Sequence, residues 1–327
     1  MMNRAITLLL VPAIAVALPL VASHAQQNYP ARPVRLIVTV PPGGAADLVA
    51  RVMAQKLSEA MGQTVVVDNR GGGGGQIAAE LAAKAAPDGY TLLQCSITTH
   101  GIGPHVYERM LFDPLKDFAP IALYATMPMI IVANAQVPVK SVKELVALAQ
   151  AKPGGFAFAS SGSGGAPHLV GELFKSVTNI NMRHIPYKGS GPAAIDVGGG
   201  QVAFAFDAIA PHLPHIKAGR TRVVGAISPK RLAMFPEVPT LIESGYPQVA
   251  ASIWYGLMAP AGVSSAIVTR LNSEVNRALG LPDVKDRMAG AGIDAAAPNT
   301  PQDFAQFIRN ELAKWGPVVK AAGARAD

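Results

Sequence analysis

The chain has 327 residues, a formal net charge of +7 and a single cysteine, Cys95. Its lysines and arginines are scattered, without the basic runs and interleaved aromatic residues of nucleic-acid-binding proteins, so a nucleic-acid partner is excluded. One cysteine excludes an intrachain disulfide. The apolar neighbours of Cys95 in sequence predict a packed strand residue and not a reactive thiol.

The N-terminus has the three parts of a secretory signal peptide. Met1–Arg4 is basic, Ala5–Val21 is apolar but interrupted by two prolines, and Ser23-His24-Ala25 supplies small residues for cleavage. The apolar run is short and broken for a membrane-spanning helix. We therefore expect residues 1–25 to be removed near Ala25, which takes away one arginine and lowers the net charge from +7 to +6. The mature protein is expected to be exported and soluble.

Strands and helices alternate in the first part of the mature chain. The predicted elements are a strand at Val34–Val40, a helix from Asp47 to about Gly62, a strand at Thr64–Val67, a helix at Gln76–Ala86 and a strand at Tyr90–Ser96. This order predicts a parallel sheet with right-handed crossovers.

The same order returns further along the chain. The predicted strands here are Ile121–Tyr124, Met129–Ala133, Phe156–Ala159, Met182–Ile185 and Val202–Phe206. Residues from about 127 to 250 therefore form a second α/β unit. The last part contains a strand at Trp254–Ala259 and helices that begin at Ser264 and Thr300, without further glycine-rich loops. These late helices are predicted to pack on an existing sheet.

Three predicted helices begin directly after loops rich in glycine or serine: Gly43–Asp47, Ser160–Ala166 and Gly189–Gly191. A helix N-terminus presents unpaired N–H groups and the positive end of the helix dipole, which attract anions. In α/β sheets such loops gather beyond the carboxyl ends of the strands, where ligands bind. A tight turn explains any one of these loops, but three together favour an anion-binding protein.

Two enzymatic alternatives follow from the same loops. Ser160, Ser161 and Ser163 near His168 could belong to an exported serine hydrolase, although none lies in a G-x-S-x-G sequence. Gly73–Ala78 matches the dinucleotide pattern G-x-G-x-x-A, but the next strand ends without an acidic residue, so a flexible surface loop is the preferred interpretation. The histidines lack acidic or cysteine partners at metal-binding spacing, and no metal is predicted.

Several segments occur together that are typical of one family. They are Pro33–Val38, the Pro-Gly-Gly-x-x-Asp loop ending at Asp47, Pro87–Leu92, Ser160–Gly164, Pro186–Pro192, Phe206-Asp207 and Trp254–Leu257. Over essentially the whole mature chain, the sequence resembles the periplasmic substrate-binding proteins of tripartite tricarboxylate transporters, the Bug receptors.

This resemblance implies an α/β fold of the two-domain periplasmic-binding-protein type (a Venus flytrap, type II-like). The chain would cross between the domains twice, near Ala125–Met129 and near Val249–Ile253. Domain 1 would then comprise residues 26–126 and 252–327, and domain 2 residues 127–251.

The resemblance also implies a small organic acid or amino-acid-like ligand, gripped mainly by backbone N–H groups and hydroxyls, without cofactor, metal or catalysis. The candidate residues of domain 1 are Gly43, Gly44, Ala45, Ala46, Asp47, Thr98 and Thr99. Those of domain 2 are Ser160, Ser161, Ser163, Gly164, Gly165, His168, Tyr187 and Asp207. The first loop lacks an aromatic residue often found after the strand in this family. Asp47 is expected to cap the helix, because its charge would repel an anion.

The expected mechanism is hinge closure, in which the ligand shifts the population towards a closed state. The expected partners are the membrane subunits of a tripartite tricarboxylate transporter or a sensor, and the protein is expected to be monomeric. The exported hydrolase remains the alternative.

Overall fold

A computed structural model describes residues 29–325, so the predicted signal peptide lies outside the described residues. The strands are β1 (Val34–Val38), β2 (Val65–Asn69), β3 (Thr91–Ser96), β4 (Phe118–Asn134), β5 (Phe156–Ser160), β6 (Met182–Pro186), β7 (Phe204–Ala208), β8 (Thr221–Ala226), β9 (Ser252–Pro260) and β10 (Asp294–Ala295). The helices are α1 (Ala45–Met61), α2 (Gln76–Ala83), α3 (Gly103–Val106), α4 (Val142–Ala151), α5 (Ala166–Thr178), α6 (Ser190–Gly198), α7 (Leu213–Lys217), α8 (Ser265–Gly280), α9 (Pro282–Gly290) and α10 (Pro301–Ala322).

The strands pair in two groups that share β4. In the first group β2, β1 and β3 are parallel, β9 runs antiparallel to β3, and the N-terminal part of β4 pairs with β9 and β10. In the second group the C-terminal part of β4 is antiparallel to β7 and β8, and β5 is parallel to β7 and β6. We call residues 29–128 with 252–325 the first half, and residues 129–251 the second half.

The chain passes between the halves twice, on adjacent strands. The last residue of β4 that pairs with β9 is Pro128, and Met129 already pairs with Ala208 of β7. The second passage is beside it, since Ser252 pairs with Pro128 while the N–H of Ala251 still donates to Ile227 of the second half. The predicted α/β fold with two crossings is thereby confirmed. The detailed domain division at residues 126 and 252 stays a prediction.

The sequence analysis placed two separate strands at Ile121–Tyr124 and Met129–Ala133, and this was wrong. The structure has one continuous strand of 17 residues, β4. Pro128 does not end the strand. Proline differs from other residues in lacking the N–H group that would donate to a neighbouring strand, and Pro128 lies where the pairing partner of β4 changes from β9 to β7. One long strand therefore belongs to both sheets.

Local sequence explains how the helices around these sheets begin and end. α1 starts after the proline and glycine residues 41–44, buries an apolar face and stops at Gly62, which adopts a left-handed conformation. α8 is capped by Ser264, and α10 by a reciprocal pair of hydrogen bonds between Thr300 and Asp303. The predicted starts of both late helices are confirmed.

The core is continuous across the crossing strands. Trp254 of β9 packs edge-on against Phe304 and Phe307 of α10, and α10 also packs against α5 of the second half. Cys95 is fully buried in β3, as predicted from its neighbours. Among residues 29–325, no helix is both long enough and apolar enough to cross a membrane.

Candidate functional site

The carboxyl ends of β1, β2 and β3 surround a cavity of about 260 Å³, which we call the front cavity. Its walls come from loops of the first half and from β9. The lining residues are Thr39, Val40, Pro41, Ala46, Gly72, Gly74, Gly75, Ser96, Thr98, Ile253 and Tyr255. Ligands of α/β proteins bind at this edge of the sheet. The front cavity is therefore the natural place to look for one.

The loop before α1 is fixed by the carboxylate of Asp47. This buried group accepts hydrogen bonds from Gly43 N (3.0 Å), Arg51 Nε (2.9 Å) and Asn69 Nδ2 (3.0 Å). The bond from Arg51 is the main cause that holds the pKa of Asp47 below its usual value, so the carboxyl group is ionised at neutral pH. The carboxylate therefore holds the loop in place, while the N–H groups of the first helical turn lack partners inside the helix.

The predicted residues of this loop differ in where they lie. Gly43 and Gly44 are exposed, Ala45 is half-buried, and Ala46 is buried and lines the front cavity. Gly44 is the N-cap of α1 and has no side chain that could accept hydrogen bonds from the N–H groups of the first helical turn. The loop consequently offers backbone donors and almost no side chains.

The five-glycine run lies mostly at the surface, as the sequence analysis expected, because Gly71–Gly74 are exposed. Its last residue, Gly75, differs. Gly73–Gly75 form a 3₁₀ turn, and Gly75 is buried, lines the front cavity and is the N-cap of α2. Gly75 has φ +84°, and a Cβ there would lie 2.8 Å from Thr39 Cβ and 2.8 Å from Thr99 Cγ2. Glycine is thus required both by conformation and by space. A second helix N-terminus opens on the same cavity.

Thr98 and Thr99, predicted together, have different surroundings. Thr98 begins a π-helical turn at Thr98–Ile102 and lines the front cavity. Thr99 is buried, and its hydroxyl lies 2.9 Å from His100 Nδ1 and accepts from the N–H of Ser96. Burial lowers the pKa of His100 to about 3, so the ring is neutral. Thr99 therefore supports the turn from which Thr98 faces the cavity.

The serine loop of the second half is held in place by hydrogen bonds within the loop and to neighbouring segments. Ser160 is fully buried, and its Oγ lies 2.6 Å from His184 Nε2 and 3.0 Å from the carbonyl oxygen of Gly162. Its backbone carbonyl accepts from Tyr187 N, and that of Ser161 accepts from Gly189 N. Ser163 is exposed and Ser161 half-buried. Of the three serines, Ser161 and Ser163 are therefore the ones that solvent reaches.

His168 and His184 form a stacked pair beneath that loop, with ring centroids 3.9 Å apart. His168 Nδ1 accepts a hydrogen bond from Gly164 N (3.1 Å), so its proton is on Nε2. Burial is the main cause that lowers both pKa values, that of His184 to about 3 with help from His168 and Lys175. Both rings are therefore neutral at neutral pH.

Gly165 is the N-cap of α5, again without a side-chain cap.

Tyr187 and Asp207 make hydrogen bonds to other residues of the second half. Tyr187 donates to Asp196 Oδ2 (2.7 Å), and burial together with Asp196 raises its pKa to about 12. Asp207, fully buried at the end of β7, accepts from Ser190 Oγ (2.7 Å) at the start of α6 and lies 3.5 Å from His212 Nε2.

The structure brings the predicted residues into two groups. Of those in the first half, Ala46 and Thr98 line the front cavity directly. The serine loop, His168, Tyr187 and Asp207 form a separate group in the second half and do not line it. The second group lies against α3 of the first half, where a Cβ on Gly164 would lie 3.4 Å from Val106 Cγ1.

Comparison with known proteins gives a family for this arrangement. Residues 49–324 match the family described as tripartite tricarboxylate transporter family receptor. The chain belongs to this family of solute receptors. The resemblance found in the sequence is confirmed.

Relatives of the receptor match over nearly their whole length. BugT of Bordetella pertussis is 39% identical over 299 residues, which cover 91% of this chain and 91% of BugT. Rpa4515 of R. palustris, solved with adipate, has a TM-score of 0.79 at 34% identity and covers 91% of this chain and 99% of its own. MatC (Rpa3494) from Rhodopseudomonas palustris, solved with bound malate, has a TM-score of 0.76 at 32% identity and covers 89% and 100%. Receptors of this family work with membrane subunits of a transporter.

Sequence reasoning missed several residues of the receptor's front cavity, notably Thr39, Ser96 and Gly75. The signal for Gly75 was present, because the glycine run joins the end of β2 to the start of α2, as the first loop joins β1 to α1. Thr39 and Ser96 each lie at the end of a parallel strand. Polar residues at those ends could have been chosen by the same rule.

The hydrolase alternative finds little support in the geometry. The pairing of Ser160 with His184 involves a serine that solvent does not reach. Within residues 29–325, neither Ser161 Oγ nor Ser163 Oγ is hydrogen-bonded to a histidine, and no cluster of histidine, cysteine or acidic residues suited to a metal is present.

Proposed function

We propose that this receptor binds a small carboxylate-containing metabolite between its two halves, in the periplasm, by hinge closure. The observation that carries the proposal is that the N-termini of α1 and α2 open on one cavity. Within the described residues, no charged side chain lines this cavity. An anion there meets N–H groups and hydroxyls. Each helix N-terminus contributes roughly 0.3–1 kcal/mol, and more when enclosed.

The two relatives solved with ligands support a carboxylate. Rpa4515 was solved with adipate and MatC with malate, and both share the fold over about nine tenths of this chain. On the first half we assign the contacts to Gly43, Gly44, Ala45, Ala46 and Thr98. On the second half we assign them to Ser161, Ser163, Gly164 and Gly165. Asp47, Thr99, Ser160, His168, Tyr187 and Asp207 position these groups.

The placement of the two groups supports hinge closure. They belong to different halves, which are joined side by side through β4 and β9, through packing of α10 on α5 and through the contact of Gly292 with Ile209. A ligand that contacts both groups is held fully only when they are close, so it shifts the population to the closed state. The proposed receptor is a monomer that delivers its ligand to transporter membrane subunits or to a sensor.

We infer that the receptor is not an enzyme, because Ser160 is buried and the outer serines lack a base. Incubation with the bound acid, followed by NMR, should show no turnover. Hydrolysis of a generic ester that is lost in Ser161→Ala would instead support the hydrolase.

The proposal is tested by thermal unfolding and calorimetry with adipate, malate and their uncharged diamides. A carboxylate at 100 times its Kd should stabilise the protein by about 2.7 kcal/mol, and its diamide should not. Ser163→Ala should weaken binding several-fold. Ser176→Ala, on the exposed side of α5, is the matched control and should leave it unchanged. If no carboxylate of a broad panel stabilises the protein, or if diamides bind as well, the proposal is wrong.

A further inference from the structure

A second and larger cavity, of about 820 Å³, lies behind the crossing strands. Side chains alternate between the two faces of a strand. On β9, Ile253 and Tyr255 line the front cavity, whereas Ser252 and Trp254 line the larger one. Their partners on β4, Pro128 and Thr126, line it too. We call it the back cavity, since it occupies the opposite face of the same two strands.

Both halves supply its walls. The second half contributes the loop from Ser228 to Met234, and the first half contributes the segment from Gly292 to Pro298 and residues of α10. The floor is apolar, with Trp254 and Phe307 packed edge to face at 5.3 Å. A cavity of this size with an apolar body and few polar groups is typical of organic-ligand sites.

The charged residues of the back cavity are not equally available. Glu311 accepts hydrogen bonds from the indoles of Trp254 and Trp315 at one oxygen, and Arg231 is paired with Glu243. Lys314 donates to the carbonyl of Ala250, and burial lowers its pKa. These three side chains therefore already have hydrogen-bond or ion-pair partners within the protein.

The groups left over are mainly cationic. Lys230 of the second half and Lys285 of the first half are exposed on the cavity lining, and neither ammonium group has an ion pair within the described residues. Asp294 is also exposed on the cavity lining, and its carboxylate likewise has no ion pair within the described residues. An anionic group that reached both lysines would be attracted by one positive charge from each half.

We propose that the back cavity binds an amphipathic organic anion, such as a medium-chain fatty acid, with its apolar body against Phe307 and Met234 and its charge near Lys230 and Lys285. This ligand differs in class from the small carboxylate of the front cavity, because the back cavity is larger and has charged side chains on its lining, whereas within the described residues none lines the front cavity. The proposal does not depend on the proposed function, since the two cavities share no lining residue.

The test is a fluorescence titration of the full mature protein with anilinonaphthalene sulfonate, followed by displacement with decanoate. The double variant Lys230→Glu/Lys285→Glu should weaken the dye about tenfold or more. Ala297→Trp, at an exposed residue of the lining, should weaken it by filling the space. Lys143→Glu, on the exposed side of α4, is the charge control and should leave dye affinity unchanged.

Two further measurements locate the dye. Gly164→Glu, in the second-half loop, should not change its affinity, and decanol should displace it at least tenfold more weakly than decanoate. Unchanged affinity in both cavity variants, or loss of the dye in Gly164→Glu, would overturn the proposal. Circular dichroism and urea unfolding of each variant distinguish loss of the site from loss of the fold.

Discussion

The two halves hold their loops at the cleft by opposite means. In the first half an ionised carboxylate, Asp47, binds Gly43, Arg51 and Asn69, and glycines bring two helix N-termini to one cavity. In the second half neutral rings do the holding: His184 lies against Ser160, and His168 accepts from Gly164. One loop depends on a charge, and the other depends on the absence of charge.

From this difference we expect that lowering the pH destabilises the loops of the two halves at different pH values. An unfolded histidine titrates near pH 6.5 and an unfolded aspartate near 3.9. The second-half loop should therefore weaken first as the pH falls, and the first-half loop only in stronger acid. The predictions below test each half separately.

The largest effect is expected from Gly164→Glu. A carboxylate there would lie at the point where the second-half loop faces Val106 and would repel an anionic ligand. At close range like charges cost about 4 kcal/mol at an effective dielectric of 20, so binding should fall at least a hundredfold. Calorimetry with the carboxylate found by the thermal screen measures it.

Gly164→Gln is the matched control for that variant. It adds the same bulk at the same positive φ of +74°, without the charge. Its loss of affinity should be much smaller. Equal losses in both variants would show that space, and not charge, is what the second-half loop requires.

Gly75→Ala tests the packing of the first half. The new Cβ would lie 2.8 Å from two threonine side chains, in a backbone conformation that alanine disfavours. The free energy of unfolding should fall by about 2–3 kcal/mol, from strain and overpacking together. Gly72→Ala also has positive φ (+109°), but its Cβ would meet nothing within 4 Å, so about 1 kcal/mol is expected. Urea unfolding that gives equal losses would contradict the packing argument.

The alternation of strands and helices was predictable because local apolar patterns and caps determine it. Thr300 and Ser264 cap the helices that they were expected to cap. The continuity of β4 was not predictable in this way. It depends on long-range pairing on both sides of Pro128, which no local pattern contains.

The candidate site was predictable in its loops more than in its contacts. The glycine and serine loops indicated helix N-termini, and these lie at the carboxyl ends of the strands. Which side chains face a cavity depends on tertiary packing: Thr98 does, while the adjacent Thr99 is bonded to its own turn. Asp207 was a candidate ligand-binding residue, but its carboxylate accepts hydrogen bonds from Ser190 Oγ and the N–H of Ala208. Its contact with a ligand stays a prediction.

Asp47→Asn tests the charge that holds the first-half loop. The variant keeps the shape but loses the ionic bond from Arg51, so the free energy of unfolding should fall by about 1–2 kcal/mol at pH 7. The folded pKa of Asp47 lies below the unfolded value. Its contribution is therefore present above about pH 4 and is lost as the pH falls through the folded pKa.

Urea unfolding at pH 7, 5 and 3 measures this change. Asp286→Asn is the control, at an exposed residue of α9 without an ion pair in the described chain. A deficit of Asp47→Asn that stays constant down to pH 3 would show that the charge is not what holds the loop.

His184→Gln gives the smallest effect and tests the neutral half. Because the folded pKa of His184 is lowered to about 3, the unfolded chain binds the extra proton once the pH falls below about 6.5. Folded stability is therefore complete above pH 6.5 and declines towards pH 3. Between pH 7 and 5 the parent protein should lose about 1 kcal/mol more than the variant, allowing for partial exposure of the ring. Parallel stability curves for the parent and His184→Gln would mean that the stacked rings do not make the second half acid-sensitive, and the contrast between the halves would then rest on Asp47 alone.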